Sequence, residues 1–321
     1  MDISSKKPVT LSHYEALVLE AVRTLTTNLD EALDLEALAS PACMAPLHFH
    51  RVFRGLTGET PLQMHRRLRL ERAAWRLKEG DEPVLRVALD AGYETHEAFT
   101  RAFRGAFGRS PTDYRMLARP GEREQLAGEA GARKPSHRLQ AACGVHVDGS
   151  AILVSNNLLI HRGALTMDVQ LELRPEIRVA AIAHSGPYDT IGSAFDRLGA
   201  IAGPVGMFAV PEARMIAIYY DDPESTPAEA LRSAAGVTSA LAAELPPALH
   251  EIRLPAGRWA RAMHRGSYGG LGDAWQRLLG QWLPNSGLRM GSGECYELYL
   301  NHPGNAREED LETLLYVPIE S

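Results

Sequence analysis

Apolar residues in the first third of the chain recur three and four positions apart, which is the spacing of one face of an α-helix. The same apolar pattern occurs twice, fifty positions apart. Each copy lies within the motif F-x-R-x-F-R-G-x-x-G-x-[T/S]-P, from Phe49 to Pro61 and from Phe99 to Pro111. The two apolar stripes are Phe49, Val52, Phe53 and Leu56, then Phe99, Ala102, Phe103 and Ala106. The pattern predicts one helical unit used twice.

The surrounding sequence predicts further helices across 11–118. We expect one from about Ser12 to Asn28, a short one around Asp34–Ala39, and one opened by Pro61 and closed by Gly80. A fourth should run from Pro83 to Ala91. Gly92 then stands where a helix-turn-helix needs a left-handed residue.

A second internal repeat, with an offset of 80, occupies the chain from residue 167 onward. Aligning 175–223 on 255–303 without a gap gives 13 identities in 49 positions. Each copy reads as a strand, an H-x-G-x-Y turn, an amphipathic helix, a loop and a strand. The repeat therefore predicts an α+β domain built from two similar halves.

The segments MIAIYY (215–220) and CYELYL (295–300) alternate between two faces. We expect the face with Ile216 and Ile218 to pack under the helices. The other face places Glu297 beside Tyr299, at the position where the first copy has Ala217. A carboxylate among tyrosines suits a lipophilic cation, although the same alternation also fits a glutamate on a solvated face.

The whole chain has 321 residues, a net charge of −6 and three cysteines. It has no apolar leader, no apolar run of 18 residues and no metal-ligand spacing. The sequence predicts a cytoplasmic protein that spans no membrane and holds neither a metal nor a cofactor. We expect a DNA-binding domain at 1–118, a linker with an unassigned segment at 119–166, and an effector domain at 167–321.

The charge is unevenly distributed. Residues 51–78 hold eight basic and two acidic residues, whereas 167–321 hold 12 basic and 20 acidic residues and no lysine. Nucleic acid should therefore bind in the first third. A helix from Pro61 to Gly80 spans roughly 27 Å, close to the ~34 Å of one DNA turn. An isolated arginine on a helix is usually a solvated side chain, but two matched copies favour DNA binding.

The second copy reads A-G-Y-E-T-H-E-A-F-T-R-A-F-R-G-A-F-G-R-S-P-T-D-Y-R from Ala91 to Arg115. This stretch resembles the AraC/XylS family of transcription regulators. The resemblance implies an all-α, seven-helix domain whose third and sixth helices enter adjacent major grooves of double-stranded DNA. By position, it implies base contacts from Leu47, His50, Arg51, His96, Glu97 and Arg101, and phosphate contacts from Arg54 and Arg104.

The region 167–321 resembles the GyrI-like ligand-binding fold, through the doubled H-x-G-x-Y turn, Trp275 and Trp282, and the segments Glu297–Pro303 and Leu315–Ile319. This resemblance implies a cleft for a small hydrophobic or cationic effector, with Glu297 recognising the charge. The residues expected to line it are Tyr188, Tyr219, Tyr268, Trp275 and Tyr299. The domain order is similar to that of Rob-type regulators, which implies a nucleoid-associated protein with RNA polymerase as a further partner.

Two alternatives stay open for the C-terminal half. It could hydrolyse reactive natural products, with Glu297 and nearby tyrosines as acid and base groups. It could instead bind a protein such as RNA polymerase or gyrase.

Overall fold

The computed structural model describes residues 7–42, 44–118, 139, 141, 143–148, 151–154, 167–239 and 244–320. The chain divides into two compact bodies. The first body contains the described parts of 1–17, 35–55 and 162–321, and the second those of 18–34 and 56–161. The residues 35–55, from the first helix-turn-helix unit, thus belong to the same body as the C-terminal half.

Seven α-helices lie within the described residues up to 118, as the family resemblance implied. The first begins at Lys7, earlier than the predicted start at Ser12, and the other predicted helices are confirmed within one or two residues. Their bounds are α1 Lys7–Thr27, α2 Leu35–Ala39, α3 Pro46–Thr57, α4 Pro61–Glu79, α5 Val84–Asp90, α6 His96–Phe107 and α7 Pro111–Ala118.

Local signals fix the ends of these helices. Thr60 and Gln63 form a reciprocal capping box at the start of α4, with Gln63 N donating to Thr60 Oγ1 over 3.1 Å. Gly92 has φ +80°, the left-handed turn that the sequence predicts between α5 and α6. Phe99 and Phe103 of α6 are fully buried in a cluster with Tyr114 of α7. The predicted inner face of the second unit is therefore confirmed.

A short hairpin lies in the stretch that the sequence left unassigned. Strands β1 Val145–Asp148 and β2 Ala151–Val154 pair antiparallel. Buried charges attach β1 to α4, because Arg67 donates to the Val145 carbonyl over 2.8 Å and Glu71 accepts from Val147 N over 3.1 Å. The predicted linker at 119–134 lies outside the described residues.

The C-terminal half builds one antiparallel sheet of eight strands in the order β3-β8-β10-β9-β5-β6-β4-β7. Strands β3, β4, β5 and β6 lie 80 positions before their equivalents β7, β8, β9 and β10. If the two members of each equivalent pair are exchanged, the strand order reads the same from the opposite edge of the sheet. The predicted pseudo-two-fold domain is thus confirmed. The strands are β3 Val169–Arg174, β4 Ile177–Ser185, β5 Met215–Tyr219, β6 Arg232–Ser239, β7 His250–Leu254, β8 Gly257–Arg265, β9 Tyr296–Tyr299 and β10 Glu312–Ile319.

Helix α8 (Gly192–Ala202) packs on the face of this sheet opposite to the one predicted. Its residues Ala194 and Leu198 share a buried cluster with Ala217. Ile216 and Ile218 instead pack with Trp259 and Tyr296 in a cluster made of strand residues, where the sheet curls on itself. The prediction failed because both faces are buried, so alternation alone does not identify the helix-covered face.

The second repeat has an irregular helix where the first has α8. It starts as an α-helix, Leu271–Trp275, continues as a π-helical segment, Gln276–Trp282, and ends in a helical turn, Leu283–Asn285. We call this element α9, with its π-helical segment. A π-helical segment widens the helix and commonly marks a functional site. No helix among the described residues is long and apolar enough to cross a bilayer.

Candidate functional site

Glu297 lies at the centre of the eight-stranded sheet. Strands β5 and β9 pair with Ala217 directly opposite Glu297, and these two residues are also equivalent in the repeat. The pseudo-two-fold axis therefore passes between them. A side chain on such an axis can be reached from both halves of the domain, and only one half supplies the carboxylate.

The Glu297 carboxylate is buried, at 2% exposure, and both of its oxygens accept hydrogen bonds. Trp275 Nε1 donates to Oε1 over 2.7 Å, and the Tyr299 hydroxyl donates to Oε2 over 2.6 Å. Burial raises the pKa of Glu297, while these two hydrogen bonds and the charge of Arg51 oppose the rise. Donors aimed at both oxygens favour the ionised form. Glu297 thus does not lie on a solvated face.

Two tyrosine pairs lie on this side of the sheet, one from each repeat. Tyr188 meets Tyr219 edge-on with ring centroids 4.7 Å apart, and Tyr268 meets Tyr299 in the same way at 5.4 Å. The structure thus brings Glu297, Trp275, Tyr299 and Tyr268 together through direct contacts. Burial raises the pKa of Tyr219, with the charge of Glu297 adding to the effect, which couples Tyr219 to the same carboxylate.

Phe195 belongs to this aromatic group and also packs against the core cluster under α8. Its ring lies 5.7 Å from that of Tyr299, edge-on, and it is half-buried. The repeat offers a signal for it, because Phe195 of α8 is equivalent to Trp275 of α9. Both helices therefore direct an aromatic ring to the same region.

A cation from the first helix-turn-helix unit reaches this site. The Arg51 guanidinium carbon lies over the Trp275 ring, 5.2 Å from its centroid. Burial lowers the pKa of Arg51, and the first of the charges that oppose this shift is Glu297. A guanidinium on an indole face beside a carboxylate is a cation–π arrangement. Sequence reasoning did not foresee this neighbour.

The backbones of α3 and α9 also meet. Gln276 Nε2 donates to the Arg51 carbonyl over 2.9 Å. A Cβ on Gly280 would lie 2.7 Å from the same carbonyl oxygen, and one on Gly55 would collide with the Gly280 carbonyl. Two glycines therefore permit the close approach of these helices.

His50 provides a second polar contact between α3 and the C-terminal half. Its Nδ1 lies 3.4 Å from Asp222 Oδ1, and its Nε2 lies 3.4 Å from Glu224 Oε2. His50 and Asp222 are both buried, as is Leu47. Three of the four outward residues predicted for α3 are therefore covered to some extent, and only Arg54 is exposed. The exposure expected of base-contacting residues is wrong for Leu47 and His50, which are both buried, and His50 is covered by its contacts with Asp222 and Glu224.

The second helix-turn-helix unit differs. The side chains predicted to contact DNA from α6 are all exposed: His96, Glu97, Arg101 and Arg104. The equivalent of Gly55 is Gly105, and a Cβ built there would meet nothing within 4 Å. The outer face of α6 is thus open to solvent.

Several of the basic residues of α4 are engaged inside the second body. Arg67 pairs with Glu59 and Glu71, with Nη2 of Arg67 2.6 Å from Glu59 Oε1. Arg72 pairs with Asp30, and Arg76 pairs with both Glu82 and Asp90. The basic run at 51–78 therefore contributes less free positive charge than its composition indicated.

Comparisons with known proteins assign both halves. Residues 38–116 match a helix-turn-helix domain and residues 167–320 match the GyrI-like small molecule binding domain. The DNA gyrase inhibitor of Yersinia enterocolitica is 34% identical over 136 residues, which is 41% of this chain and 84% of that protein. The regulatory protein SoxS of Escherichia coli is 30% identical over 105 residues, which is 33% of this chain and 97% of that protein.

Among solved structures, the DNA-binding domain of AdpA in complex with a target DNA is 33% identical, with a TM-score of 0.30 over 35% of this chain and 97% of that one. The sequence matches cover both halves and span most of the length of the gyrase inhibitor and of SoxS. The chain therefore belongs to the AraC-type helix-turn-helix transcription regulators and carries a C-terminal GyrI-like small-molecule-binding domain.

Proposed function

We propose that this regulator binds double-stranded DNA through α3 and α6 and senses a hydrophobic cation at Glu297. The observation that supports the sensor role most directly is the buried carboxylate, with hydrogen bonds to both oxygens and aromatic rings around it. DNA contacts from the residues predicted on both helices are part of the same proposal. RNA polymerase as a further partner also stays a prediction.

Electrostatics supports a positive charge on the effector, because burial raises the pKa of Glu297 and a cation beside it would favour the ionised form. An ionised carboxylate taken out of water is costly unless a counter-charge or hydrogen bonds stabilise it. Trp275 and Tyr299 supply the hydrogen bonds, and the position of the Arg51 guanidinium over Trp275 supports a site that accepts a cation. Aromatic faces attract cations through their quadrupoles. A neutral ligand could pack on the aromatic rings but would not use the charge of Glu297, and an anionic ligand would be repelled by it.

Binding accounts for the site better than hydrolysis does. A general acid or base must exchange a proton with the reacting group at hydrogen-bond distance. Trp275 and Tyr299 each donate to one Glu297 oxygen, and such donors stabilise the ionised carboxylate and make it a weaker base. We therefore assign the carboxylate an electrostatic role.

A titration with two ions of one shape and opposite charge tests the sensor. We expect tetraphenylphosphonium to bind the full chain and to change its tryptophan fluorescence, and tetraphenylborate to bind at least tenfold more weakly. Glu297→Gln keeps the shape of the side chain and removes its charge, and it should weaken phosphonium binding by at least tenfold. Glu294→Gln, at a nearby half-buried glutamate, serves as the control and should change binding less than twofold. Equal phosphonium binding by the wild type and Glu297→Gln would refute the proposal.

A further inference from the structure

We propose that Arg51 is an internal ligand of the Glu297 site, so that helix α3 and the effector compete for the same place. This inference rests on the sensor function proposed above and adds how the site controls DNA binding. The internal partner of this site is the first recognition helix of the same chain.

The chemistry of Arg51 matches that of the proposed effector. Its guanidinium is a planar cation over the Trp275 ring, and that indole donates its own hydrogen bond to Glu297. An effector that places a positive charge beside Glu297 and a flat group on Trp275 would need the volume that Arg51 fills. The two cations therefore exclude each other.

The fit between α3 and α9 extends beyond one side chain. Gly55 and Gly280 allow backbone contact, and Gln276 binds the Arg51 carbonyl over 2.9 Å. His50 adds contacts with Asp222 and Glu224 at 3.4 Å each. Leu47, at the start of the helix, is 3% exposed. Backbone and polar contacts thus hold the same face of α3.

The docked face contains the residues that the family resemblance assigns to DNA bases. While Leu47, His50 and Arg51 are covered, they cannot contact base edges in a major groove. An effector that displaces Arg51 removes one of the contacts holding α3 and favours its release. By linkage, DNA that captures α3 should raise the affinity for the effector by the same factor.

Two matched pairs of variants in the full chain test the competition. Gly55→Ala places a methyl group against the Gly280 carbonyl and leaves every charge in the site unchanged, while its control Gly105→Ala lies at the equivalent open position of α6. Arg51→Ala removes the internal ligand, and Arg101→Ala is its control. If α3 is docked about 90% of the time, Gly55→Ala and Arg51→Ala should each bind tetraphenylphosphonium about tenfold more tightly, and both controls should match the wild type.

Hydrogen exchange provides an independent readout. Adding tetraphenylphosphonium to the wild type should accelerate amide exchange in 46–55 and leave 96–107 unchanged. The acceleration should disappear in Glu297→Gln. Unchanged or slower exchange in 46–55, despite phosphonium binding, would overturn the competition.

The outcomes separate the two proposals. If Glu297→Gln weakens phosphonium binding while Gly55→Ala and Arg51→Ala both match the wild type, the site is a sensor but Arg51 is not its internal ligand. If the wild type and Glu297→Gln bind equally, the sensor proposal itself fails. Should Gly55→Ala not fold, as judged by its circular dichroism, Arg51→Ala and the exchange experiment decide the question.

Discussion

Helices α3 and α6 share one sequence motif, but the outer face of α3 is covered and that of α6 is exposed. Arg51 of α3 lies over an indole ring, whereas its equivalent, Arg101 of α6, is exposed. Gly55 contacts the backbone of α9, whereas a Cβ on Gly105 would meet empty space. The shared motif therefore determines the buried inner face of each helix, whereas the surroundings of the outer face depend on the rest of the fold.

The outer faces also differ in composition. Where α6 has the charged Glu97, α3 has the apolar Leu47. That difference agrees with the burial of one face and the exposure of the other. A duplicated element can thus keep one scaffold and present two different surfaces, one for an internal partner and one open to solvent.

The largest expected effect concerns what the two units share. Phe53 and Phe103 are equivalent and fully buried. Phe53→Ala and Phe103→Ala should each lower the free energy of unfolding by about 3–5 kcal/mol, because each leaves a cavity in a packed core. Urea denaturation followed by circular dichroism measures this. Phe208→Ala, at an exposed phenylalanine, is the control and should have little effect. A large cost at only one of the two core positions would contradict equivalent scaffolds.

DNA binding should distinguish the two units next. Without an effector, Arg101→Ala should weaken specific binding by about 1–3 kcal/mol, because α6 is open. Arg51→Ala should then lose clearly less affinity than Arg101→Ala, because the release of α3 in this variant offsets part of the lost Arg51 contact. With saturating tetraphenylphosphonium, both variants should lose affinity to a similar extent. Fluorescence anisotropy at fixed salt, on a duplex selected in the presence of the phosphonium, measures both. An equal loss for both variants without the phosphonium would contradict the difference between the helices.

Much of the fold and of the site could be predicted from the sequence. The family resemblance implied the seven helices, and the 80-residue repeat predicted an α+β domain of two similar halves and the equivalence of Ala217 and Glu297. Strands β5 and β9 pair so that Ala217 lies opposite its repeat equivalent, Glu297. Glu297 therefore lies on the pseudo-two-fold axis. The GyrI-like resemblance implied the lining tyrosines, and two of them, Tyr188 and Tyr268, start a 3₁₀ turn at the end of H-x-G-x-Y in both copies.

The covering of α3 could not be predicted in this way. Periodicity shows which residues share a face, but it does not show what lies opposite that face. Arg51 and Arg101 have the same sequence context, and the partners of Arg51 come from Trp275 and Glu297, more than 200 positions away. The π-helical segment that receives Gly55 also has no counterpart in α8.

Acid should affect the first unit through His48. Burial lowers the pKa of His48 to about 3, with the charge of Arg51 adding to the effect. Above pH 6.5 the imidazole is neutral in the folded and the unfolded chain, so it contributes no pH dependence. Between pH 6.5 and about 3 only the unfolded chain takes up the proton, and stability falls as the pH falls. The equivalent residue of α6 is Ala98, which cannot titrate.

His48→Ala isolates this contribution. Between pH 7 and pH 5.5 the wild type should lose about 1.4 kcal/mol more of its free energy of unfolding than the variant does. Urea denaturation at both pH values gives the difference. Identical pH dependence in the wild type and the variant would mean that His48 accepts a proton in the folded chain.

The smallest expected effect lies at the first residues of the two helices. Thr95 caps α6, with its Oγ1 accepting from Ala98 N over 3.1 Å, whereas α3 has Ala45 at the equivalent position. The Ala45 carbonyl accepts from Phe49 N over 3.0 Å, as the Thr95 carbonyl does from Phe99 N over 3.2 Å, so the two positions are alike apart from the hydroxyl. Thr95→Ala should therefore destabilise α6 by about 1 kcal/mol, and Ala45→Thr should stabilise α3 by a similar or smaller amount.

Amide exchange in the first turn of each helix measures these two changes. Thr95→Ala should speed exchange at the start of α6 and Ala45→Thr should slow it at the start of α3, while the affinity for tetraphenylphosphonium stays unchanged in both. The cap acts on the helix itself, docked or released, so it should shift stability without shifting the competition for Glu297. A change in phosphonium affinity in Ala45→Thr would show that the start of α3 has different geometry in its docked and released states.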